Sequence, residues 1–139
     1  MNEPVCDGDY IFVYGTLRKA CPTGAHTKYL AGATFIDYAL VRGSLYRVSY
    51  YPALLLAEMT DTSAGEVIGE IYKLASAHQL TDLDTYEECD YPAQPEQEYL
   101  RQKITVITAS GITLSAWVYC YQRAIEGLEV MASGDFLNP

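Results

Sequence analysis

Two apolar runs meet across the short Ser110-Gly111 turn, and this pairing constrains the fold more than any other feature of the chain. Ile104-Thr105-Val106-Ile107-Thr108 precedes the turn and Ile112-Thr113-Leu114 follows it. Such β-branched segments around a glycine-bearing turn predict an antiparallel hairpin. The second segment continues through Trp117, Tyr119 and Tyr121, which alternate with Val118 and Cys120. A strand has a side-chain period of two, so the three large aromatics share one face and fill a core. Of these, only Tyr121, near the strand end, is expected to line a mouth. Strands are expected over 10–14, 35–41, 44–48, 66–73, 103–109 and 112–121. The chain has 13 Tyr against 3 Phe and 1 Trp. That bias favours pleated sheet and also suits a pocket with apolar walls and hydroxyl tips.

Charge and cysteine placement narrow the function. A net charge of −9 argues against nucleic acid as a partner, because phosphate binding needs a basic footprint. The longest apolar run is far short of a membrane span, so no membrane partner is expected. Met1-Asn2-Glu3-Pro4 lacks the apolar core of a signal peptide, which predicts a cytoplasmic chain with free thiols. Cys6, Cys21, Cys89 and Cys120 are scattered and keep no ligand spacing with His26 or His78, so no metal site is expected. His26 reads as a loop residue and His78 as part of a first helical turn, and no G-x-S-x-G pattern occurs. The 139 residues suit a single domain, 1–139, without repeat or linker. The acidic stretch from Glu126 to Asp135 reads as a solvated face or mobile terminus.

Two local features carry candidate chemistry. The run Ile11-Phe12-Val13 ends abruptly at Tyr14-Gly15-Thr16-Leu17, where glycine permits a tight turn and close approach of a ligand to the backbone. Amides turned one way at a strand end make a nest for a carboxylate or oxyanion. The second feature is a helix opened by Ser76 and Gln79 as a capping box and running through Glu87. Leu80 and Leu83 lie on its buried stripe, and four residues further the stripe reaches Glu87. Glu88 falls about 100° further round, toward solvent. An inward glutamate loses hydration, its pKa rises, and it gains the ability to take and return a proton near neutral pH. The alternative is that Glu87 caps the helix or pairs with Arg101 or Lys103. The following segment from 88 to 95 holds two prolines and is expected to be a surface loop beside Glu87.

A set of motifs, in order, resembles the γ-glutamylcyclotransferase-like proteins, including the AIG2-like and γ-glutamylaminecyclotransferase branches. They are Val13-Tyr14-Gly15-Thr16-Leu17-Arg18, Gly43-Ser44-Leu45-Tyr46, Tyr51-Pro52-Ala53, Gly65-Glu66-Val67-Ile68-Gly69-Glu70-Ile71-Tyr72, Leu83-Asp84-Thr85-Tyr86-Glu87, Tyr99-Leu100-Arg101 and the aromatic run Ala116 to Tyr121. The resemblance implies a small closed, mostly antiparallel β-barrel with flanking helices. It implies that Tyr14, Gly15, Thr16 and Leu17 bind a γ-glutamyl group, that Glu87 is the acid/base, and that Tyr99 and Tyr121 orient substrate through their hydroxyls. The implied reaction releases 5-oxoproline and a free amine from a γ-glutamyl amine or amino acid, with no metal or redox cofactor. Glu88 stands where members often carry glycine, and the expected effect of a second charge there is either a further rise in the pKa of Glu87 or an altered path of the lid. A binding module with the same pocket and no turnover is the alternative outside enzymes.

Overall fold

The computed structural model of the protein describes residues 8–57, 65–87 and 97–139. Its elements are β1 (Tyr10–Val13), α1 (Ala25–Tyr29), β2 (Thr34–Arg47), β3 (Pro52–Leu56), β4 (Glu66–Lys73), α2 (Ala77–Tyr86), β5 (Tyr99–Thr108), β6 (Thr113–Tyr121) and β7 (Glu129–Val130). The strands run in the order β3-β2-β4-β1-β6-β5, and β2 also pairs with β5. That last pairing closes β2, β4, β1, β6 and β5 into a barrel, leaving none of the five as an open edge. Every pairing is antiparallel except β1 with β6, which is parallel. The fold is therefore the closed, mostly antiparallel barrel that the motifs implied.

Alternation divides the apolar side chains into two clusters. Phe12, Val41, Val67, Ile71, Val106 and Val118 belong to one, the filling of the barrel. The intervening residues Ile11, Val13, Trp117 and Tyr119 join Leu80 and Leu83 of α2 in the other, between the barrel wall and the helices. Leu83 is 0% exposed and Leu80 1%, so α2 is held to the barrel mainly by this stripe. Truncating either leucine to alanine is worth about 2–5 kcal/mol in comparable cores.

Several expected boundaries move, each for a physical reason. β2 was expected as two strands but runs unbroken through Gly43. At Gly43 it changes partner, pairing with β4 over Thr34–Arg42 and with β3 from Gly43 onward. A Cβ there would lie 2.5 Å from the Leu55 carbonyl oxygen, so the exchange requires glycine. The hairpin forms with Gly111 at φ +87° and its amide donating to Thr108 O, as the Ser-Gly turn implies. β3, β7 and α1 were not anticipated. α1 has five residues, too few to show a periodicity, and places His26 in a helix rather than a loop. It is tied down by packing, with the His26 ring 5.2 Å from that of Tyr72.

The capping box does not form. Ser76 is the N-cap residue of α2 but makes no side-chain cap bond. Gln79 Oε1 accepts from the Ala75 amide at 2.8 Å, while its Nε2 donates to Tyr29 O and Ala31 O at 3.1 and 3.0 Å. Both Nε2 donors thus join α2 to the end of α1, while the acceptor ties α2 to the chain just before it. The acidic C-terminal stretch is part of the fold rather than a free terminus, with Glu126 and Glu129 exposed on its solvated face. Met131 is buried in the barrel cluster, β7 pairs with β2, and Asp135 bonds Arg18 at 2.7 Å.

Candidate active site

The loop after β1 is fixed by a buried ion pair. Arg18 Nε donates to Glu70 Oε2 at 2.9 Å, and both side chains are almost fully enclosed. Glu70 also accepts from the Lys19 amide at 3.0 Å and from the Tyr72 hydroxyl at 2.7 Å. Burial, then the bond to Glu70, pushes the Tyr72 hydroxyl well up, so it remains a donor. The Arg18 amide donates to Gly15 O at 3.0 Å, closing the turn. These bonds fold residues 14–17 without using the amides of Gly15, Thr16 or Leu17.

Gly15 is needed here for a reason other than φ, which is not in the left-handed region. A Cβ on it would lie 2.7 Å from both Cδ and Cγ of Pro52. The loop thus packs its backbone on the proline ring that opens β3. Gly15→Ala is expected to cost about 1–3 kcal/mol of stability, as overpacking does, and to raise KM for the cavity's substrate. Thermal melts and saturation kinetics on one preparation check both.

Opposite this loop, Glu87 is the C-cap residue of α2, and its amide donates to Leu83 O at 2.9 Å. Asp84, one turn earlier, sets the rotation of the helix end. It accepts from Tyr119 OH at 2.6 Å and pairs with Arg101 Nε at 3.1 Å, so α2 is tied to β5 and β6. Arg101 pairs with Asp84 and lies over the Trp117 ring, and Lys103 pairs with Asp9 at 3.7 Å. The ion pairs seen for both thus go to carboxylates other than Glu87. Thr16 Oγ1 and Tyr86 OH lie 2.7 Å apart and join the loop directly to the last turn of α2.

Between them lies a cavity of about 250 Å³. Tyr14, Gly15, Thr16, Leu17, Glu87 and Tyr99 all line it, so the structure brings these six residues to one place. Tyr121 is not among the lining residues, contrary to expectation. It stands directly opposite Tyr99 in the β5–β6 register and packs its ring edge-on against Tyr99, 5.6 Å between centroids. Tyr119, two residues earlier, lines the cavity instead. β6 runs parallel to β1 with Ile11 beside Trp117, so it is Tyr119 that draws level with the end of β1. The Tyr14 hydroxyl is committed inside the wall, where it donates to the Tyr119 carbonyl. Tyr99 OH is similarly committed to Pro52 O.

The cavity also contains residues the sequence reading did not single out. Tyr50, Tyr51 and Glu98 line it, and Tyr51 OH donates to Glu98 Oε2 at 2.7 Å. Glu98 sits in a polar segment with no periodicity to betray it. The contrast drawn with Glu88, and the segment from 88 to 95, lie outside the described residues.

Electrostatics single out Glu87. It is half-buried, and loss of hydration pushes its carboxyl up to about 8, with the charges of Glu98 and Asp84 adding to the effect. Burial likewise raises the hydroxyls of Tyr99 and Tyr119 far above their ordinary range, and Tyr51 to about 12. All three stay protonated at any physiological pH. The arrangement is a small chamber with tyrosine walls and one carboxyl able to exchange its proton near neutrality. Among the described residues no cluster of His, Cys, Asp and Glu could hold a metal ion. Nor is any helix there long and apolar enough to cross a membrane.

Comparison with known proteins places this geometry in a family. Residues 11–138 match the family model described as gamma-glutamyl cyclotransferase, AIG2-like. The chain is 33% identical to the gamma-glutamylcyclotransferase family protein YtfP of Escherichia coli K12, over 92% of this chain and 96% of that one. It is 27% identical to a putative gamma-glutamylcyclotransferase of Methanocaldococcus jannaschii, over 92% of this chain and 95% of that one. Among solved structures it superposes on YkqA of Bacillus subtilis with a TM-score of 0.67 and 27% identity, covering 93% of this chain and 39% of that longer one. A mouse AIG2-like protein shares the fold, with a TM-score of 0.65, 24% identity, and coverage of 86% and 81%. With nearly its whole length matched, the chain belongs to the gamma-glutamyl cyclotransferase, AIG2-like family.

Proposed function

We propose that the protein is a cyclotransferase that converts a γ-glutamyl amine or γ-glutamyl amino acid to 5-oxoproline and the free amine, with Glu87 as its proton shuttle. The observation that carries this reading is the Glu87 carboxyl, held near 8 in a small chamber facing the 14–17 loop. Family membership supports the reaction class.

In the proposed reaction the substrate's α-nitrogen attacks its own γ-carbonyl carbon. The new C–N bond closes the ring and the bond to the leaving nitrogen breaks. The α-ammonium gives up two protons on becoming the ring N–H, and both finish on the departing amine, which leaves as an ammonium ion. Glu87 carries them between nitrogens that sit on one carbon in the tetrahedral intermediate. The reacting groups belong to one molecule, so the chamber's task is to hold a folded, near-attack shape. Amides of Gly15, Thr16 and Leu17 are the donors available for the substrate carboxylate or the oxyanion.

A pH profile follows. The carboxylate form of Glu87 is needed to accept the first proton, so kcat/KM should rise with pH through about 8. It should fall again as the free substrate loses its own ammonium proton. Glu98→Gln removes the larger of the two added charge effects and should move the rising limb to lower pH. A rising limb near the ordinary carboxylate range, or one unmoved by Glu98→Gln, would contradict this assignment. The reaction itself is tested by incubating the protein with a panel of γ-glutamyl compounds and measuring 5-oxoproline by mass. Binding without product would favour the binding-module alternative.

A further inference from the structure

We propose that Glu98 is a specificity residue that selects substrates whose leaving amine bears a second positive charge, a γ-glutamyl conjugate of a diamine or similar cation. The inference rests on the cyclotransferase reading and assigns its substrate class. Three observations carry it.

The first is charge. Two carboxylates, Glu87 and Glu98, line the cavity, and among the described lining residues there is no Lys, Arg or His. The γ-glutamyl α-ammonium supplies one compensating positive charge, and the substrate's own carboxylate offsets it. A second ammonium would bring the filled cavity closer to neutrality, which matters where water is displaced.

The second is placement. Glu87 and the 14–17 loop define the end where the glutamyl group must sit. Glu98 lines the cavity beside Tyr51, which donates to it and packs against Tyr50, and Tyr50 is 69% exposed, so this part of the lining meets solvent. A substrate with its γ-carbonyl at Glu87 therefore directs its leaving amine toward Glu98.

The third is pre-organisation. The Glu98 backbone carbonyl accepts from the Gln122 amide at 2.7 Å, and its side chain is held by Tyr51 OH on Oε2. A carboxylate offers about four acceptor positions, so capacity is left for an ammonium donor. The neighbouring rings are tilted, Tyr50 against Tyr51 at 80° and Tyr51 against Tyr99 at 58°. Tilted tyrosines present π-faces as well as edges, and π-faces attract cations.

The test compares three amides of matched length: γ-glutamyl-putrescine, γ-glutamyl-n-pentylamine, in which a methyl replaces the ammonium, and γ-glutamyl-γ-aminobutyrate. Wild type should process the cationic amide with kcat/KM about tenfold or more above the neutral one, and the carboxylate amide most slowly. Glu98→Gln should bring the cationic-to-neutral ratio close to one. A ratio is read because any effect of Glu98 on Glu87 acts on all three amides alike. Equal rates for the cationic and neutral amides in wild type would overturn the proposal and leave the activity standing. So would an equal loss on both in Glu98→Gln, which would assign Glu98 to the α-ammonium instead. Absence of 5-oxoproline from all three would count against the cyclotransferase reading. Calorimetric affinities on the Glu87→Gln protein then decide selectivity independently: tighter binding of the cationic amide, lost on adding Glu98→Gln, supports it, and equal binding overturns it.

Discussion

Replacing Glu87 by Gln is expected to lower turnover of a γ-glutamyl amide by about 10²–10⁴-fold while making the protein more stable at alkaline pH. The two effects have one origin. In the unfolded chain the carboxyl titrates near 4.5, and in the folded protein near 8. Across that window the folded state binds more protons than the unfolded state, so stability falls as pH rises. The full penalty is present above 8 and absent below 4.5. Gln resembles the protonated acid in shape and cannot ionise. At pH 9 the variant should therefore be more stable than wild type by about 3–5 kcal/mol, or about 10–20 °C in Tm, and near wild type at pH 4. Melting curves at both pH values, alongside the rate, check the prediction. Loss of activity with unchanged alkaline stability would mean that Glu87 is not the desolvated group described.

The second large effect is expected at Arg18. Its guanidinium is enclosed with Glu70 and reaches Asp135, so it binds the active-site loop, β4 and the C-terminal segment together. Arg18→Ala leaves the Glu70 carboxylate buried without its countercharge, which is worth about 3–5 kcal/mol of destabilisation. The Lys19 amide and Tyr72 hydroxyl remain as partners of Glu70 and keep the loss from being larger. Activity should fall about tenfold or more through misplacement of residues 14–17, although Arg18 does not line the cavity. The double variant Arg18→Met/Glu70→Gln should recover much of the stability, because an apolar stem and a neutral amide carry no unpaid ion. Denaturant unfolding of the single and double variants separates the two outcomes. A double variant no more stable than Arg18→Ala would show that the ion pair itself, rather than its one-sided loss, holds the loop.

The parts of this protein that were legible in its sequence are those with a period. The hairpin around Gly111, the two-faced β6 and the Leu80–Leu83 stripe each repeat at a strand or helix interval. That regularity carries Glu87 to the cavity from helical phase alone. What sequence could not supply were contacts between distant segments. Gly15 reads as a turn glycine, whereas its hydrogen is required by the Pro52 ring 37 positions later (52 minus 15). Tyr121 seemed the aromatic that would line the cavity, but the parallel register of β6 on β1 brings the buried Tyr119 into its wall instead. The Ser76–Gln79 pair looked like a cap, and tertiary packing spent Gln79 on α1 instead. The acidic C-terminal stretch showed no anchor of its own, because Arg18, which holds Asp135, lies 117 positions away. Glu98 had no local signature, and only the closing of the barrel brings it beside Tyr51.

The most direct measurement is to incubate a γ-glutamyl amide with wild type and Glu87→Gln in water enriched in heavy oxygen and weigh the products. Ring closure by the substrate's own nitrogen predicts 5-oxoproline carrying no solvent oxygen from wild type, and product reduced at least a hundredfold, roughly, from the variant. Glutamate labelled from solvent, or 5-oxoproline formed equally by both proteins, would contradict it.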